Sequence, residues 1–245
     1  MLDLHRLQQV LCIPYYANFE SSALGLDSIE HCLDRDHFKT WPSTVSYKFN
    51  EIGFRTKSIA RFTGKEILAI GDSFTLGLGC DYSQCWPHRL ENLLQYPVLN
   101  FSLNGASNDW IARKTQQLLQ FFNPRAIVIH HTFSHRRERL RTDWHDDERT
   151  ECSPHYTTEQ NFENFCKNFK ILQQTCGFIP TIHGFVPQWH DQPVDYEKFT
   201  QTMAPVHVID LARDGFHYGP GTHQNLADLY ATNLLAVESH RSHEP

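Results

Sequence analysis

No stretch of this sequence reaches membrane-spanning length in apolar residues. The N-terminus "MLDLHRLQQVLCIPYYANFE" has neither a basic leader followed by a continuous apolar run nor a small-residue cleavage site. These absences predict a soluble, unexported protein of the cytoplasm. Positive charge is not in excess either: 22 Lys and Arg stand against 28 Asp and Glu, a formal net charge of −6. The general attraction to phosphate that supports nucleic-acid binding is therefore missing, and no nucleic-acid partner is expected. Cysteines occur without a pairing pattern. The seven of them (Cys12, Cys32, Cys80, Cys85, Cys152, Cys166, Cys176) are odd in number and include no CxxC, which suits reduced thiols better than a disulfide framework or a zinc ribbon. No internal repeat or biased tract is visible, and only the tail "ESHRSHEP" lacks apolar periodicity altogether.

What is present suffices for a core. A chain of 245 residues, 40% hydrophobic and 13% aromatic, fits one large α/β domain. From Glu66 onward short aliphatic runs ("EILAIG", "PVLNFSL", "RAIVIHHT", "FIPTIHGFVP", "VHVIDLA") alternate with amphipathic stretches. The amphipathic stretches are "SQCWPHRLENLLQY", "ASNDWIARKTQQLLQFF", "TTEQNFENFCKNFKILQQTC" and "GTHQNLADLYATNLLAVE", the third opening on a capping signal at Thr157 to Gln160. Five strands and at least four helices in this order predict a parallel sheet covered on both faces. Residues 1–62 read as an irregular extension packed on the sheet, 63–240 as the main domain and 241–245 as a loose tail. The charged segment "SHRRERLRTDWHDDERTECSP" reads as a solvated surface insertion or as a lid over the site.

Ligand sites in an open parallel sheet form beyond the carboxyl ends of the strands, and "GDSFTLGLG" begins at one such end. Gly71 allows a sharp turn there. Ser73 then either caps the next helix or acts as a nucleophile, pointing a backbone N–H at an anion while its hydroxyl stays exposed. A serine hydroxyl is a poor nucleophile at neutral pH, so the second role requires a base in reach and a group orienting that base. "DLARDGFHYGPGTHQNLADLY" offers both, with Asp214 and His217 three residues apart between the last strand and the last helix. That spacing lets the carboxylate hold one imidazole nitrogen while the other faces Ser73.

The segments "ILAIGDSFTLGLG", "NFSLNGASND" and "DGFHYGPGTHQNLA" resemble the first, second and last blocks of the GDSL or SGNH hydrolases, over roughly Lys65 to Val237. The resemblance implies a flavodoxin-like three-layer α/β/α sandwich with a mostly parallel five-stranded sheet. It also implies a triad of Ser73, Asp214 and His217, and Gly105 as an oxyanion donor beside the Ser73 N–H. A turn into the following helix would require the same glycine. The third block departs from the family pattern: where an asparagine donor is usual, "AIVIHHT" runs into "FSHRRER", leaving Ser134 or His135 nearest to the missing position. Losing one such donor costs roughly 2.7 to 4 kcal/mol of transition-state stabilisation.

The upstream "YKFNEIGFRTKSI" is similar to a lead-in segment of some bacterial and phage members, with Arg55 read as a surface residue bridging the extension to the sheet or, alternatively, as a contact to an acidic substrate. Among the 16 histidines, His130, His131, His135 and His145 lie near each other. Neighbours on a strand face opposite sides, so these read as hydrogen-bonded residues and not as metal ligands, and His223 reads as a packing or helix-surface residue. Phe74, Trp110, Phe133 and Trp144 are candidate site-lining residues. The implied activity is a serine esterase working through an acyl-enzyme on a small acyl ester or an acetylated carbohydrate, with neither metal nor organic cofactor. A non-catalytic binding module of the same fold and an acyltransferase are the rival readings.

Overall fold

The computed structural model describes residues 4–32, 36–41, 44–62, 65–138, 150–152, 156–187, 203–204 and 206–241. The N-terminal segment forms α1 (Leu4–Leu11), β1 (Glu20–Ser21), α2 (Ile29–Cys32), α3 (Asp36–Thr40) and β2 (Tyr47–Lys48), with β1 and β2 paired antiparallel. The main unit continues through β3 (Ile67–Gly71), α4 (Ser73–Leu76), α5 (Trp86–Leu94), β4 (Val98–Ser102), α6 (Asn108–Leu118) and β5 (Ala126–His131). It ends with β6 (Arg136–Glu138), β7 (Thr150–Cys152), α7 (Thr158–Cys176), β8 (Thr181–Phe185), β9 (Met203–Ala204) and α8 (Pro220–Arg241).

Continuous aliphatic runs make central strands here because both faces are covered. Leu68, Ile70, Leu99, Phe101, Ile127 and Ile129 point to one face, against α6, α7 and the N-terminal segment. Alternate residues of the same strands, among them Ile67, Ala69, Val98 and Val128, point to the other face, against α5 and α8. The sheet has the order β4-β3-β5-β8-β9 and every pairing in it is parallel. This is the flavodoxin-like order, whose crevice opens beyond the carboxyl ends of its first and third strands, here β3 and β5.

The four expected long helices form, and Thr157 with Gln160 makes the capping box that opens α7. Two expectations are corrected. The last strand lies at Met203–Ala204 and not in "VHVIDLA". The N–H groups of Ile209 and Asp210 bond the Thr222 hydroxyl at 2.9 and 3.0 Å, which diverts them from any ladder. Helix α8 ends at Arg241, and within it the Glu238 carboxylate accepts both the Nε and Nη2 of Arg125 at 2.6 and 2.7 Å. Residues 242–245 lie outside the described residues. The N-terminal segment, read as irregular, carries helix α1, and its Leu7, Leu11, Tyr47, Ile52 and Phe54 are buried in the cluster that lines the sheet. Of the charged segment, the two ends pair as the ribbon β6–β7. Residues 139–149 and 153–155, with Trp144 and His145, lie outside the described residues.

Candidate active site

Strand β3 ends at Gly71 and hands over to α4 through Asp72, whose side chain caps the helix by accepting the Phe74 N–H at 3.0 Å. Ser73 is thereby the first residue of α4, with its backbone N–H among those a helix start leaves unsatisfied. Asp72 is itself fully buried. Its second carboxylate oxygen receives the Thr132 hydroxyl at 2.6 Å and Arg136 Nη1 at 2.8 Å. The guanidinium of Arg136 lies over the Phe133 ring, 4.9 Å from its centre. The segment after β5 therefore grips the turn that presents Ser73. Neither Thr132 nor Arg136 was singled out from sequence; the carboxylate of the Gly-Asp-Ser turn facing an arginine-rich third block was the available signal.

Between β9 and α8, Asp214 accepts the backbone N–H groups of Phe216 and His217 on one carboxylate oxygen, each at 3.0 Å. The other oxygen lies 2.6 Å from His217 Nδ1, and His217 Nε2 lies 2.9 Å from Ser73 Oγ. Burial alone would raise the Asp214 carboxyl, but the His217 ring bond, the charge of His217 and the two backbone bonds outweigh it and hold the group below the ordinary carboxylate value. Phe74 packs at 4.6 Å against the His217 ring and fixes its plane from the α4 side. The three residues that sequence spacing suggested are thus brought together as one chain of hydrogen bonds. Their exposure differs from expectation: Ser73 and His217 are only 1% and 2% exposed, so the hydroxyl is enclosed and not open to solvent.

Gly105 has φ +77° in the turn that Ala106 N–H closes on the Leu103 carbonyl at 3.1 Å, a conformation that disfavours other residues. Ser134 is buried, and His135 is half-buried and stacked on Phe133 at 5.5 Å. Burial, and then the charge of Arg136, lower the pKa of His135. Asn108, near the same place, spends its amide on the Thr132 carbonyl at 3.1 Å.

Several candidates have structural work. Arg55 is not a surface residue: it is 1% exposed and bonds four backbone carbonyls. Trp110 does not line the site but is buried in the core on α6. His130 bonds the Tyr230 and Tyr218 hydroxyls at 2.6 and 3.3 Å on one face of the sheet, while His131 bonds Asn108 and His183 at 3.2 and 2.9 Å on the other. His223 is fully buried, with Nδ1 accepting the Trp86 N–H at 3.2 Å. Among the described residues no group of three or more His, Cys, Asp or Glu side chains is placed so that it could hold a metal ion. Cys12, Cys32, Cys80, Cys85, Cys166 and Cys176 form no disulfide, and burial raises the thiol pKa of both Cys80 and Cys85. No helix among the described residues is long and apolar enough to cross a membrane.

Neither family models nor curated proteins give a match to this sequence. Solved structures do. A protein assigned to the lipolytic G-D-S-L family, from Desulfitobacterium hafniense DCB-2, aligns with a TM-score of 0.50 at 15% identity, covering 69% of this chain and 99% of its own. The psychrotrophic esterase EstA from Pseudoalteromonas sp. aligns at 0.48 and 14% identity, over 71% of this chain and 99% of that one. A family two carbohydrate esterase from Clostridium thermocellum aligns at 0.49 and 11%, over 71% and 65%. The first of these likenesses shows the fold: the chain has the α/β/α fold of the GDSL, or SGNH, hydrolases, as the three sequence blocks imply.

Proposed function

We propose that this protein is a serine-dependent ester hydrolase that acts through an acyl-enzyme. The observation that carries the reading is the continuous contact from Asp214 to His217 at 2.6 Å and from His217 to Ser73 at 2.9 Å, placed at the crevice end of β3. His217 takes the Ser73 proton through Nε2 as Oγ attacks the ester carbonyl. Asp214, tied down by three hydrogen bonds, holds the Nδ1–H tautomer and stabilises the imidazolium that forms. The same His217 proton then passes to the departing alkoxide, the alcohol leaves and Ser73 is acylated. Water, deprotonated by His217, attacks the acyl carbonyl, and collapse of that second tetrahedral intermediate returns the proton to Ser73 and frees the acid.

The oxyanion falls to the N–H groups of Ser73 and Gly105, with Ser134 or His135 as the third donor. None of these steps requires a metal or an organic cofactor. The enclosed Ser73 and His217 favour a small acyl or O-acetyl group over a bulky one, and an acetylated carbohydrate is the proposed substrate class alongside simple acyl esters. The test is hydrolysis of p-nitrophenyl acetate followed at 405 nm as an initial burst and a steady rate. A burst that matches the enzyme concentration and disappears in Ser73→Ala supports the acyl-enzyme. Turnover surviving in Ser73→Ala refutes it, and product appearing as a new ester when an alcohol is added assigns the protein to acyl transfer.

A further inference from the structure

The triad loops are held from outside the α/β unit, by residues of the N-terminal segment. Asp27 is fully buried, and its carboxylate accepts the Nε and Nη2 of Arg213 at 2.5 and 2.8 Å and the Tyr47 hydroxyl at 2.5 Å. Arg213 is the residue before Asp214, and its Nη2 also reaches the Ser22 carbonyl at 2.7 Å. The Tyr47 oxygen in turn accepts the Gly79 N–H at 2.7 Å, while the Gly79 carbonyl receives the Arg213 N–H at 3.4 Å. Gly79 belongs to the loop that follows α4. The guanidinium of Arg55 lies 4.6 Å from the centre of the Tyr47 ring. It donates to the carbonyls of Leu76 and Gly77 at 3.0 and 2.9 Å, and to those of Cys80 and Ser46 at 2.9 and 2.8 Å. Those first two carbonyls lie at the end of the helix that Ser73 opens, where the last carbonyls have no partner within the helix, and the Gly77 carbonyl also accepts the Cys80 N–H at 3.1 Å.

We infer that Asp27, Tyr47 and Arg55 are positioning residues, which set the distance between α4, the helix that Ser73 opens, and the loop bearing Asp214 and His217. The inference rests on the triad reading given above. One buried carboxylate and one phenol connect the two loops, and Arg55 fixes the far end of α4. Buried charges with fork-shaped partners resist displacement more than apolar contacts do, because a small shift leaves a desolvated group unpaired. The N-terminal segment is on this account a working part of the site.

The experiment compares the full chain with Tyr47→Phe and Asp27→Asn, with Leu172→Ala on α7 as a cavity control remote from both loops. Two quantities are read below the melting range of every variant. One is the rate constant for labelling by a fluorophosphonate. The other is the low-field proton resonance of His217 Nδ1–H, assigned by its loss in His217→Ala. Tyr47→Phe and Asp27→Asn are expected to slow labelling at least tenfold and to shift or broaden the His217 proton. Leu172→Ala is expected to lower Tm and change neither quantity. Wild-type labelling and an unmoved His217 proton in both folded variants would overturn the inference. If the intact protein takes no label but the His217 proton still moves in the variants, positioning stands and the esterase reading fails.

Discussion

Ser73 serves two structures at once, as first residue of α4 and as hydrogen-bond partner of His217 Nε2 at 2.9 Å. Both roles depend on neighbours whose own charges are neutralised. Asp214 with two backbone N–H bonds and the imidazole bond stays ionised, so its replacement by an amide would favour the wrong imidazole tautomer. Asp214→Asn is expected to lower the rate of p-nitrophenyl acetate hydrolysis roughly 10⁴-fold while the protein remains folded; circular dichroism and the burst assay check it together. At Asp72 the partner is Arg136, with side chains 0% and 13% exposed. Removing one member of a buried pair leaves an uncompensated charge, and Arg136→Ala should cost about 3 kcal/mol in urea unfolding. A change under about 1 kcal/mol would contradict the assigned role. Sequence spacing made Ser73, Asp214 and His217 legible because each lies in a short local motif. It did not reveal the tether from Asp27 to Arg213, whose partners are 186 residues apart.

At the scale of elements, the site forms where two loops touch. A Cβ on Gly79 would stand 2.7 Å from the Ala212 Cβ, and Gly79 has φ +78°. Only glycine lets the loop after α4 lie against the loop that leads to Asp214 without strain. Gly79→Ala should therefore separate Ser73 from His217, lowering esterase activity at least tenfold and costing about 1–3 kcal/mol of stability by thermal unfolding; unchanged activity would contradict the contact. The strands and long helices were readable from the sequence, because alternating aliphatic runs and amphipathic stretches report burial directly. The edge strand was not. Val206 to Asp210 is as apolar as a strand, but Thr222 at the start of α8 takes its N–H groups. Arg55 misled for a related reason: a lone arginine reads as exposed, and four backbone carbonyls from distant segments bury it.

The whole molecule carries several histidines that folding keeps neutral. Burial lowers His130 and His183 to about 4 and His223 to about 3, and depresses His131 as well. The unfolded chain, with ordinary histidines, therefore binds protons before the folded one does. Stability is full above the unfolded value near 6.5 and declines as pH falls from there toward 4, each pKa unit being worth ~1.4 kcal/mol per group. The urea midpoint should drop steadily from pH 7 to pH 4.5; a flat profile would contradict the buried neutral histidines. Composition showed how many histidines there were, but not which the two helical layers would enclose. The N-terminal segment likewise disclosed its size and not its work, since its contacts are made by single residues without a period.

Whether Ser73 is an activated nucleophile is tested with a fluorophosphonate probe and mass spectrometry of the digested protein. A single adduct on Ser73 is expected, absent in Ser73→Ala and strongly reduced in His217→Ala. A folded protein that takes no label at Ser73, or labels equally without His217, would contradict it.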